Sequence, residues 1–134
     1  MQSNDDFGKL VLRATLAILV LFHGVSKLIT GIDPIMGMVA KAGLPSAFAF
    51  LVYVGEVIAP LMILFGIWAR LGAVIVAINM IVAVALAHGA QFFTMAKTGG
   101  WALELQGFYF FTAVAVALLG AGSYSMGGRS GKWN

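Results

Sequence analysis

A carboxylate lies in the middle of an apolar run. Glu56 sits within residues 47–67, a stretch long enough to cross a bilayer, and Pro60 follows four residues later. A bare charge at that depth costs roughly 2.5–3.5 kcal/mol on insertion scales. The side chain must therefore be paired, neutral or turned towards a polar cavity. Pro60 has no N–H to bond the carbonyl of residue 56. Side chain and backbone at one position thus both need a partner from another helix. A lone span cannot supply either, so the chain must fold as a bundle, and Glu56 is a candidate functional residue.

Composition agrees. Of the 134 residues 61% are hydrophobic and 10% charged, against about 25% charged in soluble domains. The reading is a polytopic membrane protein with one compact domain over residues 1–134. The net charge of +3 comes from basic residues near the ends of apolar segments. That pattern fits anionic lipid headgroups and orientation signals, and it excludes a nucleic-acid face. There is no cysteine, so disulfide chemistry, thiolate catalysis, iron–sulfur ligation and thiol exchange are excluded for this chain alone. Asp5 and Asp6 stand where a signal peptide carries positive charge, and no small-residue cleavage site precedes Lys27. The first helix is expected to be retained.

Four segments approach the roughly 20 residues needed to span: 8–29, 46–67, 70–93 and 101–122. The expected fold is all-α, a bundle of four transmembrane helices. Gly and Pro mark the breaks at 30–34, 42–45 and 97–100. The connection from Phe65 to Arg70 is so short that the second and third helices should be antiparallel neighbours. Only 33–41 is long enough for an interfacial or re-entrant piece. Four spans put both termini on one side, with Lys9, Arg13, Arg70, Arg129 and Lys132, against Lys27, Lys41 and Lys97 on the other. Five against three favours both ends in the cytoplasm.

Depth can be counted at about 1.5 Å per residue. From Lys9, His23 lies about 21 Å up and Lys27 about 27 Å; from Ser46, Glu56 lies about 15 Å down, near the midplane. His88, Gln91 and Glu104 fall in the same outer half. Arg70, Ala77, Ile81, Val84 and His88 share one stripe of the third helix, with Gln91 close by. Tyr53, one turn before Glu56, is placed to donate to it. Asn79 points away from the stripe and is left outside the cluster, as a separate helix contact. Glu56 and His88 are the candidate catalytic groups. His23, Lys27, Tyr53, Gln91 and Glu104 are candidate ligand-binding groups, and Arg13, Pro60 and Arg70 structural ones.

Each has a plainer reading. Lys27 and Arg13 are also placed to snorkel to headgroups, His88 and Glu104 to form a structural pair, and Glu56 to lock packing as a buried ion pair. No HxxxH or ExxH spacing is present, so no metal site is expected. Ala113, Ala117 and Ala121, with Ala73 and Ala77, form small-residue lines that allow close helix approach, inside the bundle or in a homodimer.

The order of these motifs resembles a known family. Arg13 precedes His23-Gly24-x-x-Lys27, then Gly43-Leu44-Pro45, Gly55-Glu56, Gly66-x-x-x-Arg70 and His88. Gly99-Gly100-Trp101-Ala102-Leu103-Glu104-Leu105-Gln106 leads on to Gly120-Ala121-Gly122-Ser123-Tyr124-Ser125. The chain resembles the DoxX family of small bacterial four-helix inner-membrane proteins over nearly its whole length. Members commonly end the last stretch with an Asp, where Met126 stands here. The resemblance implies membrane-bound redox work, linked to thiosulfate:quinone oxidoreduction and to thiol and oxidative-stress handling. Quinone is then the implied cofactor, redox proteins are the implied partners, and the chain is at most a subunit of a membrane oxidoreductase. The residues themselves leave two other functions open: a small-solute or proton transporter, and a non-enzymatic assembly protein.

Overall fold

A computed structural model describes residues 3–134, apart from the side chains of Ser3 and His88. The long elements are helices: α1 (Ser3–Thr30), α2 (Asp33–Lys41), α3 (Ser46–Phe65), α4 (Ala69–Ala87) and α5 (Glu104–Leu119). Of these, α1, α3 and α4 are long and apolar enough to cross a membrane. The protein is an all-α membrane bundle.

Three helices differ in extent from the sequence expectation, and the first of them, α1, begins at Ser3 where residue 8 is expected. The fourth helix was expected over 101–122, yet α5 has 16 residues, about 24 Å, short of the roughly 20 residues of a full span. Its first residues are drawn into a hairpin instead. Ala96 N–H donates to the Gly100 carbonyl at 2.6 Å, Ala102 N–H to Thr94 at 3.0 Å, and the Trp101 indole N–H to Phe92 at 2.6 Å. At its other end Gly120, with φ of 83°, turns the chain out of the helix. The third helix likewise stops short of Phe93. It widens into a π turn at Val84–His88 and ends in a 3₁₀ turn at Gly89–Gln91, leaving Phe92 and Phe93 in the hairpin.

The four longest helices pack in a ring, α1 on α3, α3 on α4, α4 on α5 and α5 back on α1. Leu16, Ala17, Val20, Ile63, Val76 and Val116 fill the centre. The small-residue lines work inside the bundle: Ala73 and Ala113 are in this core, and Ala77 and Ala117 pack against it. The connection between α3 and α4 is a three-residue turn at Gly66–Trp68, as its shortness requires. The amphipathic α2 lies across one end, with Ile32 and Val39 on Ala49, Tyr53 and Leu86.

Residues 120–134 fold under the opposite end. Arg13, 1% exposed, holds this tail in place. Its guanidinium donates to the carbonyls of Ile63 and Leu64 at the end of α3 and of Ala121 and Tyr124 in the tail, at 2.8–3.1 Å. Arg70 does the same for α5, donating to Ala117 and Leu118 at 2.9 and 2.8 Å. Both arginines thus satisfy carbonyls that a helix end leaves without partners, where the negative end of the helix dipole welcomes a cation. Asp6, fully buried, accepts from the Ser123 N–H at 3.1 Å. Both terminal segments therefore meet at one end of the bundle.

Candidate functional site

Pro60 forces the local geometry around Glu56. An α-helix running into Pro60 would aim the proline ring at the residue-56 carbonyl. The chain widens instead into a π turn, Val54–Ile58, closed by an Ala59 N–H to Val54 bond. Such turns absorb a kink and recur at functional sites. The Glu56 carbonyl faces α1 at Gly24, and a Cβ on Gly24 would collide with it. Glycine there is what lets the two backbones touch.

The same contact makes Glu56 level with the last turns of α1. Lys27, one turn beyond Gly24, reaches the Glu56 Oε1 at 2.6 Å. Counting rise from the helix starts had put Lys27 well above Glu56; the structure brings them together. A charge-assisted bond this short belongs to the strong class. Asn79 Nδ2 of α4 donates to the other oxygen, Oε2, at 3.0 Å. Asn79 is therefore part of the cluster and not a separate contact, a correction to the sequence reading. Its approach depends on Gly55, where a Cβ would meet the Asn79 side chain at 2.6 Å. Glu56, 4% exposed, thus has both oxygens bonded, to two different helices.

Tyr53 is also corrected. Its hydroxyl donates to the Lys27 carbonyl at 3.2 Å and not to Glu56, which ties α3 to the end of α1.

Beside the ion pair is a cavity of about 240 Å³, walled by all four long helices. Val20, His23 and Lys27 come from α1, Glu56 from α3, Met80 and Ala83 from α4, and Leu105, Gln106 and Tyr109 from α5. The His23 ring meets the Tyr109 ring edge-to-face at 5.9 Å. The His23 imidazole, the Gln106 amide and the Tyr109 hydroxyl line the cavity and make no hydrogen bond to another described residue; His23 is also exposed at the surface. From the sequence Gln106 stands out only as the end of the Gly99–Gln106 motif, and Tyr109 not at all. The available signal is a polar pair at i, i+3 on the face of α5 away from Glu104.

The remaining candidates stand elsewhere. Glu104 is exposed and lines a separate groove on the other face of α5, not the cavity. It stands two positions before Gln106, about 200° of helix rotation. Gln91 lies in the 3₁₀ turn after α4, where its carbonyl accepts from the Thr94 hydroxyl at 2.8 Å. The backbone of His88 closes the π turn of α4, and its side chain lies outside the described residues. Pro60 is buried behind the π turn. Among the described residues no three His, Asp or Glu side chains gather as a metal site.

The comparisons fall on this same region. The DoxX family model matches residues 8–89, more than half of the chain and inclusive of His23, Lys27, Tyr53, Glu56 and Asn79. No curated protein and no solved structure matches the chain.

Proposed function

The chain belongs to the DoxX family, and from that premise we propose that it is a redox-linked subunit of the bacterial inner membrane whose cavity holds a quinone headgroup. The observation that carries the reading is the set of three unpaired hydrogen-bonding groups, His23, Gln106 and Tyr109, beside the Lys27–Glu56 pair. A mostly apolar pocket with a few convergent polar groups is what a small organic ligand needs. When bound, a quinone supplies two-electron, two-proton acceptor chemistry.

This chain's own residues would do the rest. The Tyr109 hydroxyl and Gln106 amide donate to ring carbonyl oxygens and fix the ring plane. His23, edge-on against Tyr109, is placed to pass a proton to or from the ring. Lys27 gives an anionic ligand its counter-charge, while Asn79 keeps the Glu56 carboxylate in place beside it. Glu56 holds the Lys27 ammonium at the cavity wall in this scheme. With no cysteine in the chain, electrons come from a partner protein.

The sealed end of the bundle favours binding over transport. Beyond the cavity floor lie the packed core of Leu16, Ile63, Val76 and Val116, then the Arg13 layer and the docked tail. That leaves a pocket with one open side. A second reading, a purely structural pair, is favoured by one feature: Lys27, Glu56 and Asn79 lock α1, α3 and α4 together.

The test is quinone retention after gentle extraction. Wild-type protein is expected to keep about one quinone per chain, and Tyr109→Phe with Gln106→Leu to lower retention about tenfold, near 1.4 kcal/mol. Wild-type protein that carries no quinone, and takes none up from quinone-loaded vesicles, would falsify the proposal.

A further inference from the structure

Between Arg70 and Glu104 the sequence carries a single Lys, Arg, Asp or Glu, which is Lys97. The hairpin that holds it, residues 92–101, joins α4 to α5 at the end of the bundle away from the docked tail. It is built around an antiparallel bridge of Met95 with Trp101. Its large side chains turn away from the protein: Phe93 is 93% exposed, Met95 69% and Phe92 47%. Apolar side chains grouped and uncovered in this way mark a surface that has a partner.

The hairpin is tied to α5. The Glu104 N–H donates to the Trp101 carbonyl at 3.1 Å, and a Cβ on Gly107 would meet the Trp101 ring at 2.7 Å, so the indole rests on the first turns of the helix. With 16 residues, α5 is about 24 Å long, roughly 6 Å short of a hydrocarbon core of about 30 Å. The hairpin stands at the end where that height is missing. Its main chain is equipped to leave bulk water. The Ala96 and Ala102 N–H groups close the ladder, the Trp101 indole takes the Phe92 carbonyl, and the N–H and hydroxyl of Thr94 take the Gln91 carbonyl. Pairing of backbone groups is the condition for entering lipid. Lys97, exposed at the tip, adds the cation that phosphate headgroups attract.

We propose that the hairpin is an interfacial membrane anchor. Phe92, Phe93 and Met95 enter the leaflet at this end as far as the headgroup–acyl boundary, and Lys97 stays among the phosphates. Together, hairpin and α5 complete the fourth crossing, which the helix alone does not reach. The boundary region is as deep as the hairpin goes, because two paired strands keep open edges that the hydrocarbon centre does not tolerate. A lipid surface is the occupant that fits. Every residue from 91 to 99 is exposed, so the tip projects and offers no concave seat to a folded partner. The anchor is independent of what the cavity holds.

The chain has no cysteine, so single nitroxide labels can be attached without other changes. Phe93→Cys, Met95→Cys and Lys97→Cys are each labelled in the whole chain, in nanodiscs of mixed zwitterionic and anionic phospholipid. Ile78→Cys, at an exposed position of α4, is the reference for a site inside the bilayer. Depth is read by electron paramagnetic resonance, from power saturation with oxygen and with a water-soluble nickel chelate. The labels at 93 and 95 are expected about 5–10 Å below the phosphates, and the label at 97 at their level or above it. All three side chains are exposed, so helix content by circular dichroism should match the wild type. Labels at 93 and 95 as open to nickel as the label at 97 would overturn the anchor and place the hairpin in water. Labels shielded from nickel in native membranes, yet open to it in nanodiscs of the pure protein, would overturn it in favour of a protein partner.

Discussion

At the scale of residues, the centre of this protein is a carboxylate divided between two donors. Lys27 takes one oxygen of Glu56 and Asn79 the other. Removing one member of such a buried pair leaves the other charge uncompensated, at a cost of about 3–5 kcal/mol, whereas replacing both with apolar groups is often neutral. Glu56→Gln should therefore destabilise the protein by about that amount in a denaturation titration, and Lys27→Met/Glu56→Leu by less than about 1 kcal/mol. The double variant also divides the two readings of the site. Stable protein that no longer retains quinone indicates a ligand-binding pair, and stable protein with full retention indicates packing alone. Glu56 and Lys27 were both legible in the sequence, because a charge within an apolar run is costly wherever it lies. Asn79 was not. Its facing was judged against the Arg70–His88 stripe, but the face that meets α3 is set by Gly55, whose missing side chain makes room for the amide.

At the scale of elements, local irregularities set what the regular parts can reach. The π turn before Pro60 and the close crossing at Gly24 act together: one turns the Glu56 carbonyl outward, the other lets α1 receive it. Gly24→Ala would push a methyl into a backbone oxygen that cannot rotate away. The expected cost is about 1–3 kcal/mol, with the α1–α3 distance increased and the Lys27–Glu56 bond lengthened. The check is thermal unfolding together with quinone retention: a Gly24→Ala protein matching the wild type in both would rule out the close crossing as a determinant of the site. The extent of α3, the end of α1 and the short α3–α4 turn could be read from hydropathy and glycine placement, whereas the start of α1 at Ser3 lies in a polar stretch that hydropathy passes over. The ends of α4 and α5 could not, since Phe92, Phe93 and Trp101 are as apolar as a span. Hairpin hydrogen bonds, not hydropathy, decide their conformation.

At the scale of the whole molecule, the bundle is open at one side and sealed at one end. The seal is made by Arg13, whose four hydrogen bonds join the end of α3 to residues 121–124. Arg13→Met would strand those carbonyls in an apolar layer, and unmade buried bonds cost about 1–3 kcal/mol each. The expected result is a loss of at least about 3 kcal/mol in stability and faster proteolysis after residue 120. A tail as protease-resistant as the wild type's would show that Arg70, Asp6 and the backbone pairing hold it unaided. The sequence marked Arg13 as structural or snorkelling and gave no sign of a docked tail. Residues 120–134 are rich in glycine and serine, and nothing in their pattern shows that their backbone is the ligand of a buried arginine.

That arginine grips main-chain oxygens, which every residue type provides. The course of the tail is thus fixed mainly through main-chain oxygens, and residue type matters at Ser125 and Asn134, whose side chains bond the backbone, and at Gly120, Gly122 and Gly128, where φ is positive. Met126 illustrates the freedom: its N–H is fixed to Phe65 at 2.9 Å, and its side chain, 74% exposed, points outward. An aspartate at this position could thread the same path. The segment is spelled loosely where only its carbonyls are held, and strictly at those five positions.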